Sequence, residues 1–524
     1  MNDVLFCAKI GVFSEGMGNF AEIKFAMKKF FVCAATALVA FVSGAYELPR
    51  TSPEAQGLES GAVMALIDSL MSMPQAELHN ITVMRHGNIV AQASPAPFTP
   101  DMQHELFSVS KTFTGAAVGL AIDANRLRLD DRLGAVMPEI LPDSVSPWLA
   151  DVTVRDLLTM SSGMTVDWMM RGQEDHWAKV MASKPMVAEP GTKFAYDSMS
   201  TYLLSVLVQK VMGRTVLDLL VEKVFTPLEI TDYAWDVSPD GVTTGGWGLW
   251  MKPDGLARFG QMLLDGGRWQ GRQILPENWV TEMMTEKVDL PGDSDGYNYQ
   301  MWKCGHKSAS RADGAWGQFI VVMPEEDMVV VITQCERDVT ARQLNLVWGL
   351  LSPATHDAPL AEGKDFKALS RRIATLAHPF PAGKSSSRTQ KALYGRTLDL
   401  PANSMEWKTV EVVPDADCIK LVTENIKGER DTLVCGYRRW MTSELNSFPP
   451  DERRDTHNRM SGHTNKFYTA GAYAWADGIL DVKLHFTHWY SSLSLKIKPA
   501  GDRFEVTMKL NYEGAPATIT ATAE

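Results

Sequence analysis

The stretch Phe107-Ser108-Val109-Ser110-Lys111-Thr112-Phe113-Thr114 sets a serine and a lysine three residues apart at the head of an apolar run. Positions three apart share a helical face, so the Ser108 hydroxyl and the Lys111 amine point the same way. A hydroxyl is a weak nucleophile until a neighbouring group takes its proton. From Val109 to Ile122 nearly every residue is apolar, Gly, Ser or Thr, the composition of a helix buried on all sides. An ammonium in such surroundings loses solvation and surrenders its proton more readily, which makes Lys111 a candidate base for Ser108. A serine in the first turn also meets unpaired backbone N–H groups and the positive helix end, both of which favour developing negative charge. Ser-x-x-Lys alone is weak, since a chain of this length contains it about once by chance. A surface lysine beside a capping serine is the plainer alternative, and the apolar surroundings oppose it.

Two further stretches carry candidate chemistry. Glu189-Pro190-Gly191-Thr192-Lys193-Phe194-Ala195-Tyr196-Asp197-Ser198 runs from a turn through a short strand to the start of a helix. A phenol at Tyr196 would shuttle protons between nucleophile, lysine and leaving group, given positive charge to offset its ordinary titration at about 10. A core aromatic with a satisfied hydroxyl is the alternative for Tyr196. Arg311-Ala312-Asp313-Gly314-Ala315-Trp316-Gly317-Gln318 enters a strand. Its glycines permit close backbone approach to a ligand, and one N–H there would complete an oxyanion hole. A plain hairpin connection is the default without the other motifs. His104-Glu105 lacks the second histidine of a zincin helix, and no Cys/His spacing fits zinc, so neither a metal nor a cofactor is assigned.

The elements that must position these residues read as an α+β domain, an antiparallel sheet flanked by helices. A helix is expected near Ser60 to Met71, then a hairpin in which Ile81–Met84 and Ile89–Ala91 flank His86-Gly87-Asn88. Thr153-Val154-Arg155-Asp156 reads as a capping box, and Gly213 stops a helix that starts about Ser200. Leu256–Leu264 and Arg342–Leu351 are further helices; Tyr299–Lys303, Gly317–Met323 and Met328–Thr333 are strands. Residues 356–391 form a linker with a helical stretch near Phe366–Leu376, ending in Lys384-Ser385-Ser386-Ser387. Beyond it, residues 392–524 alternate apolar and polar positions in eight short runs from Thr409 to Thr522, an all-β module built as a barrel or a sandwich. That module shows no catalytic cluster and reads as an accessory domain.

With 524 residues the chain exceeds one hydrophobic core, and 45% hydrophobic content with 22% charge marks it as globular. A net charge of −12 and no basic stripe argue against nucleic acid as a partner. Met27-Lys28-Lys29, the apolar run Phe30–Val42 and Ser43-Gly44-Ala45 describe a secretory signal peptide, with residues 1–26 an upstream over-extension. The run is too short to span a bilayer, so an exported protein, periplasmic or extracellular, without a stable membrane span is expected. Of the six cysteines, Cys304, Cys335, Cys418 and Cys435 follow Ala45, and a disulfide between the last two is expected across a hairpin turning near Lys427-Gly428.

With Leu129-Asp130-Asp131-Arg132-Leu133, Val154 to Gly163, Phe225-Thr226-Pro227-Leu228 and Gly248-Leu249-Trp250, the three motifs resemble the serine β-lactamase and penicillin-binding-protein superfamily over about residues 50–352. The run Ala-x-Gly-x-x-Gly-Gln ending at Gln318 is most similar to the class C-like branch that includes esterases and 6-aminohexanoate-dimer hydrolases. The resemblance implies a β-lactamase-like serine hydrolase domain, residues 46–355, acting without a cofactor on a small-molecule or peptide-like substrate. By position, Ser108 is the acylated nucleophile, Lys111 its base and Tyr196 the partner acid or base. The N–H groups of Ser108 and Ala315 form the oxyanion hole, and Ser198, Asp313, Gly314, Trp316 and Gln318 bind substrate. Two positions depart from the pattern. Ala312 stands where β-lactamases keep the cation that holds the substrate carboxylate, leaving Arg311 as the candidate substitute; Ser198 replaces the usual Asn. Both weaken a β-lactamase or D-alanyl-D-alanine peptidase reading and leave ester or amide cleavage through an acyl-enzyme as the leading expectation. A non-catalytic envelope-binding protein that uses the β module is the remaining rival.

Overall fold

Helix α1 (Ser60–Met71) buries Val63, Leu66, Ile67 and Leu70, spaced three and four residues apart on one face. They cover an antiparallel sheet of β1 (Ala76–Arg85), β2 (Asn88–Ala93), β3 (Trp302–Lys303), β4 (Ser310–Gly314), β5 (Gln318–Met323) and β6 (Met328–Glu336). The computed structural model describes residues 47–144, 146–166, 176–290, 296–451 and 466–523; the expected signal peptide and the residues before it lie outside these. Strand order is β2-β1-β6-β5-β4-β3, with Val83 opposite Val330 and Ile320 opposite Val331. Strand β6 is buried along its whole length, and its side chains alternate between two cores. Val330 and Ile332 meet α1 and helix α5 (Thr340–Leu351), whereas Val329 and Val331 meet the helical side of the domain.

That helical side is built on α2 (Ser110–Asp123), α3 (Ser198–Met212) and α4 (Pro253–Leu264). Helix α2 is buried from Ser110 through Gly119, as its composition predicts, and its hydroxyls bond to neighbouring backbone. Thr112 donates to the Gln300 carbonyl at 2.8 Å and Thr114 to the Gly245 carbonyl at 2.9 Å. The Thr153–Asp156 capping box is present, and Gly213 closes α3 with φ 69°. The expected strand Tyr299–Lys303 is confined to Trp302–Lys303. Within the expected linker, helix α6 (Lys364–Ala374) packs on α1.

The C-terminal module is a closed barrel, which decides between the two expected architectures. Its strands are β7 (Thr397–Asp399), β8 (Trp407–Pro414), β9 (Cys418–Asn425), β10 (Arg430–Tyr437), β11 (Met441–Leu445), β12 (Phe467–Ala476), β13 (Ile479–Phe486), β14 (Ser492–Ala500), β15 (Arg503–Leu510) and β16 (Ala517–Ala523). The ring runs antiparallel from β12 through β16 to β7 and on to β10, where a parallel β10–β12 pairing closes it. Strand β11 pairs alongside β12. The expected Cys418–Cys435 disulfide is absent and both thiols are free. Cys418 opposes Gly436 and Cys435 opposes Ile419, so the two cysteines are one residue out of register and face opposite sides of the strand pair.

Barrel and sheet belong to one unit, Leu48–Glu524. Between them lies a histidine cluster that sequence reading did not assemble. Glu77 of β1 accepts from Lys483 Nζ at 3.1 Å, His485 Nδ1 at 2.9 Å and Ser492 Oγ at 2.8 Å, all from the barrel. His79 Nδ1 lies 2.9 Å from His104 Nε2, His378 Nε2 bonds to the Leu78 carbonyl at 2.8 Å, and Phe98 sits among the rings. Among the described residues no group of such side chains is arranged to hold a metal ion. Burial lowers the proton affinity of all four histidines, His485 from 6.5 to about 3. Glu77 is held well below the usual carboxylate range by Lys483 and His485, which outweigh its burial.

Both effects act in one direction. A histidine kept neutral in the fold binds fewer protons than in the unfolded chain, so stability falls as pH drops below about 6.5. Glu77 adds to the loss below its ordinary range. The slope expected is about 1.4 kcal/mol per pH unit for each histidine involved. Melting temperature measured from pH 8 to pH 5 should fall, and the dependence should flatten in His485→Gln.

Candidate active site

Ser108 sits in a 3-10 turn, Phe107–Val109, that leads directly into α2, so the serine precedes the first full helical turn. Two ties fix this turn. Ser110 Oγ donates to the Phe107 carbonyl at 2.6 Å and accepts from Leu249 N at 3.1 Å. Glu105 Oε1 accepts from Phe107 N at 3.2 Å. One turn along, Lys111 is 1% exposed. Its Nζ lies 2.8 Å from Ser108 Oγ, 3.0 Å from Ser198 Oγ and 2.7 Å from the Gly246 carbonyl. The carbonyl only accepts, so one Nζ proton is committed to Gly246. Ser108 and Ser198 have hydroxyls that work either way, and the same three partners therefore suit both the ammonium and the amine.

Tyr196 and Ser198 flank Asp197, which is extended and leads into α3. Asp197 turns away to cap α3, accepting from Met199 N at 3.1 Å and Ser200 N at 2.9 Å. The Tyr196 hydroxyl bonds to the Ser108 side chain and to Trp302, and the Lys111 nitrogen lies 4.8 Å from its ring centre. Burial pushes the phenol well up, and Asp313 adds to this; the bonds from Ser108 and Trp302 and the charge of Arg311 offset only part of it. Tyr196 is therefore a neutral phenol across the working range, and nearby positive charge does not make it a phenolate.

The remaining expected residues lie on the β4–β5 hairpin. Gly314 abuts the segment before Ser108 so closely that a Cβ there would stand 2.2 Å from the Leu106 carbonyl oxygen. That approach packs strand β4 against the Phe107–Val109 turn. Gln318 is fully buried and spends its amide on the hairpin, donating to the Ala315 carbonyl at 3.2 Å and the Gln334 carbonyl at 2.8 Å. Trp316 stacks on Tyr490 of the barrel, with ring centres 5.2 Å apart. Ser198 is tied to Lys111 and is 3% exposed. Asp313 Oδ2 accepts from Arg311 Nε at 2.8 Å, and the guanidinium also lies over Trp302. Arg311 thus spends its charge within the protein, and Ala312 is 1% exposed in the helical core.

Residues 65–345 match the family model described as beta-lactamase, more than half of the chain. The chain belongs to the beta-lactamase family. A 6-aminohexanoate-dimer hydrolase of Paenarthrobacter ureafaciens is 26% identical to this family member over 276 residues, 48% of this chain and 70% of that protein. A beta-lactamase of Escherichia coli K12 is 29% identical over 317 residues, 50% of this chain and 82% of that one. Among solved structures, a penicillin-binding protein homologue from Caulobacter crescentus covers 56% of this chain and 97% of its own, with 17% identity and a TM-score of 0.48. The family match ends before the barrel begins. Among the described residues no helix of this beta-lactamase-family hydrolase is long and apolar enough to cross a membrane.

Sequence reading missed two contributors to the site. The loop Thr243-Thr244-Gly245-Gly246 supplies the carbonyl that fixes Lys111, and its signal was the paired glycine beside a buried helix. A Cβ at Gly246 would lie 2.6 Å from the Ser198 carbonyl oxygen. Trp302, with Tyr297 and Phe194, forms an aromatic wall beside Tyr196; the Tyr196–Trp302 ring centres are 5.3 Å apart. For Gly246→Ala, hydrolytic turnover should fall about 10²-fold through misplacement of Lys111, with the fold intact by circular dichroism.

Proposed function

We propose that this chain is an exported serine hydrolase that cleaves a small ester or linear amide through an acyl-enzyme on Ser108. The observation that carries the reading is the convergence of Lys111 Nζ, at 2.8 Å, and the Tyr196 hydroxyl on one serine oxygen. With Lys111 as the free amine, the Ser108 proton passes to Nζ as Oγ bonds to the acyl carbon. The Ser108 and Ala315 N–H groups receive the oxyanion, each worth about 3 kcal/mol when well aimed. The neutral phenol of Tyr196 then protonates the leaving oxygen or nitrogen as its bond to carbon breaks, and Lys111 returns the proton to the phenol. Water attacks the acyl-enzyme by the reverse route, yielding the acid and free Ser108.

The substrate class follows from the side chains around Ser108. Arg311 is engaged by Asp313 and Ala312 carries no charge, which leaves no cation of that strand to anchor a substrate carboxylate. The aromatic wall of Tyr196 and Trp302 suits an apolar acyl or leaving group. These features favour uncharged esters and linear amides over β-lactams and D-alanyl peptides. The basic and apolar segment at 27–45 supports delivery to the periplasm or beyond.

Ser108→Ala should abolish hydrolysis of a p-nitrophenyl ester and the mass shift left by a fluorophosphonate. Undiminished turnover in that variant removes the reading and returns the chain to a binding role. Tyr196→Phe should lower kcat by 10²–10⁴, roughly the range for a positioned proton donor, with KM changed little. Rapid nitrocefin hydrolysis by the unaltered protein would overturn the substrate preference.

A further inference from the structure

We propose that Tyr490 of the barrel is a positioning residue for the oxyanion hole, holding both of its backbone N–H groups from behind. The inference rests on the acyl-enzyme reading above. The loop between β13 and β14 carries Trp489 and Tyr490, both fully buried. The Tyr490 ring meets Phe107 edge-on with centres 5.3 Å apart, and lies parallel to Trp316, 6° between planes, at 5.2 Å. Phe107 immediately precedes Ser108, and Trp316 immediately follows Ala315. One side chain therefore touches the neighbour of each proposed oxyanion donor.

Backbone conformation gives this contact its meaning. Phe107 has φ 47° and Trp316 has φ 64°. Bulky residues avoid this left-handed region, and they persist there only where surrounding structure over-determines them. Relaxation at Phe107 would rotate the peptide that carries the Ser108 N–H, and relaxation at Trp316 would rotate the Ala315–Trp316 peptide and so shift Ala315, whose N–H lies one peptide further back. The barrel supplies the restraint. Tyr490 donates to Asp451 Oδ1 at 2.8 Å, Trp489 Nε1 donates to the Pro450 carbonyl at 3.1 Å, and Tyr512 flanks both Tyr490 and Trp316. Trp489 also stacks on Trp250 at 5.2 Å, and the strand carrying Trp250 receives Leu106 N through the Leu249 carbonyl at 2.9 Å.

The test compares an oxygen ester with its thionoester, because sulfur fits poorly among donors aimed at an oxyanion. In Tyr490→Leu of the full chain, kcat for the oxygen ester should fall roughly 10- to 100-fold with KM within about threefold, and thionoester turnover should hold, so the ratio of the two rates collapses. Tyr490→Phe keeps the ring and should keep the ratio. Trp316→Leu reads the other contact and replaces Tyr490→Leu if that variant does not fold. An unchanged ratio in the leucine variant overturns the proposal, even where both rates fall together, since that pattern reports general damage. If Ser108→Ala still hydrolyses the ester, the parent reading fails and takes this one with it; Ser108-dependent turnover with an unchanged ratio sinks this proposal alone.

Discussion

A lysine nitrogen sealed from water must be answered by oxygen on every side, and three separate stretches of the chain answer Lys111. The turn that leads into α2 brings Ser108, the head of α3 brings Ser198, and the glycine loop before Leu249 brings the Gly246 carbonyl. Losing any one leaves a buried polar group short of a partner, a cost comparable to a lost charged hydrogen bond of about 1.5–3 kcal/mol. The geometry around Ser108 and the stability of the helical core are thus the same set of contacts. The hydroxyls of Ser110, Thr112 and Thr114 are spent on backbone partners, so α2 cannot rotate without breaking several bonds at once.

The second constraint comes from the barrel. Its apolar core continues into Phe107, Trp250 and Ala234 of the hydrolase part. An accessory domain on a tether would leave a wet seam; here the seam holds aromatic contacts around Phe107 and Trp250 and a separate histidine cluster around Glu77. Glu77 puts a carboxylate into that seam and relies on the barrel for its cation. A buried pair of this kind is costly to break from one side only.

How much of this was legible in the sequence depends on sequence distance. Local rules held where the signal was local: the Thr153 capping box, the Gly213 stop, the Ser108–Lys111 spacing and the alternating barrel strands all read from neighbouring residues. Register did not. Whether Cys418 meets Cys435 turns on a single-residue offset that alternation cannot fix. Ser198 reads as a residue open to substrate until the fold places Lys111 against it. Gln318 and Trp316 carry family-like positions, yet their side chains brace the hairpin, and only the fold shows what a side chain in a motif is spent on. The histidine cluster was illegible because its members come from four distant segments, none of which carries a motif.

The Glu77 contact also orders the molecule in time. Lys483, which neutralises that carboxylate, is 406 residues further along the chain, so β1 leaves the ribosome long before its counter-ion exists. Until the last barrel strands are made, the first strand of the sheet holds an acid that has to stay hydrated, and the seam against Phe107 has nothing to close on. The seam beside the Ser108 turn therefore closes only when the C-terminal barrel has been made.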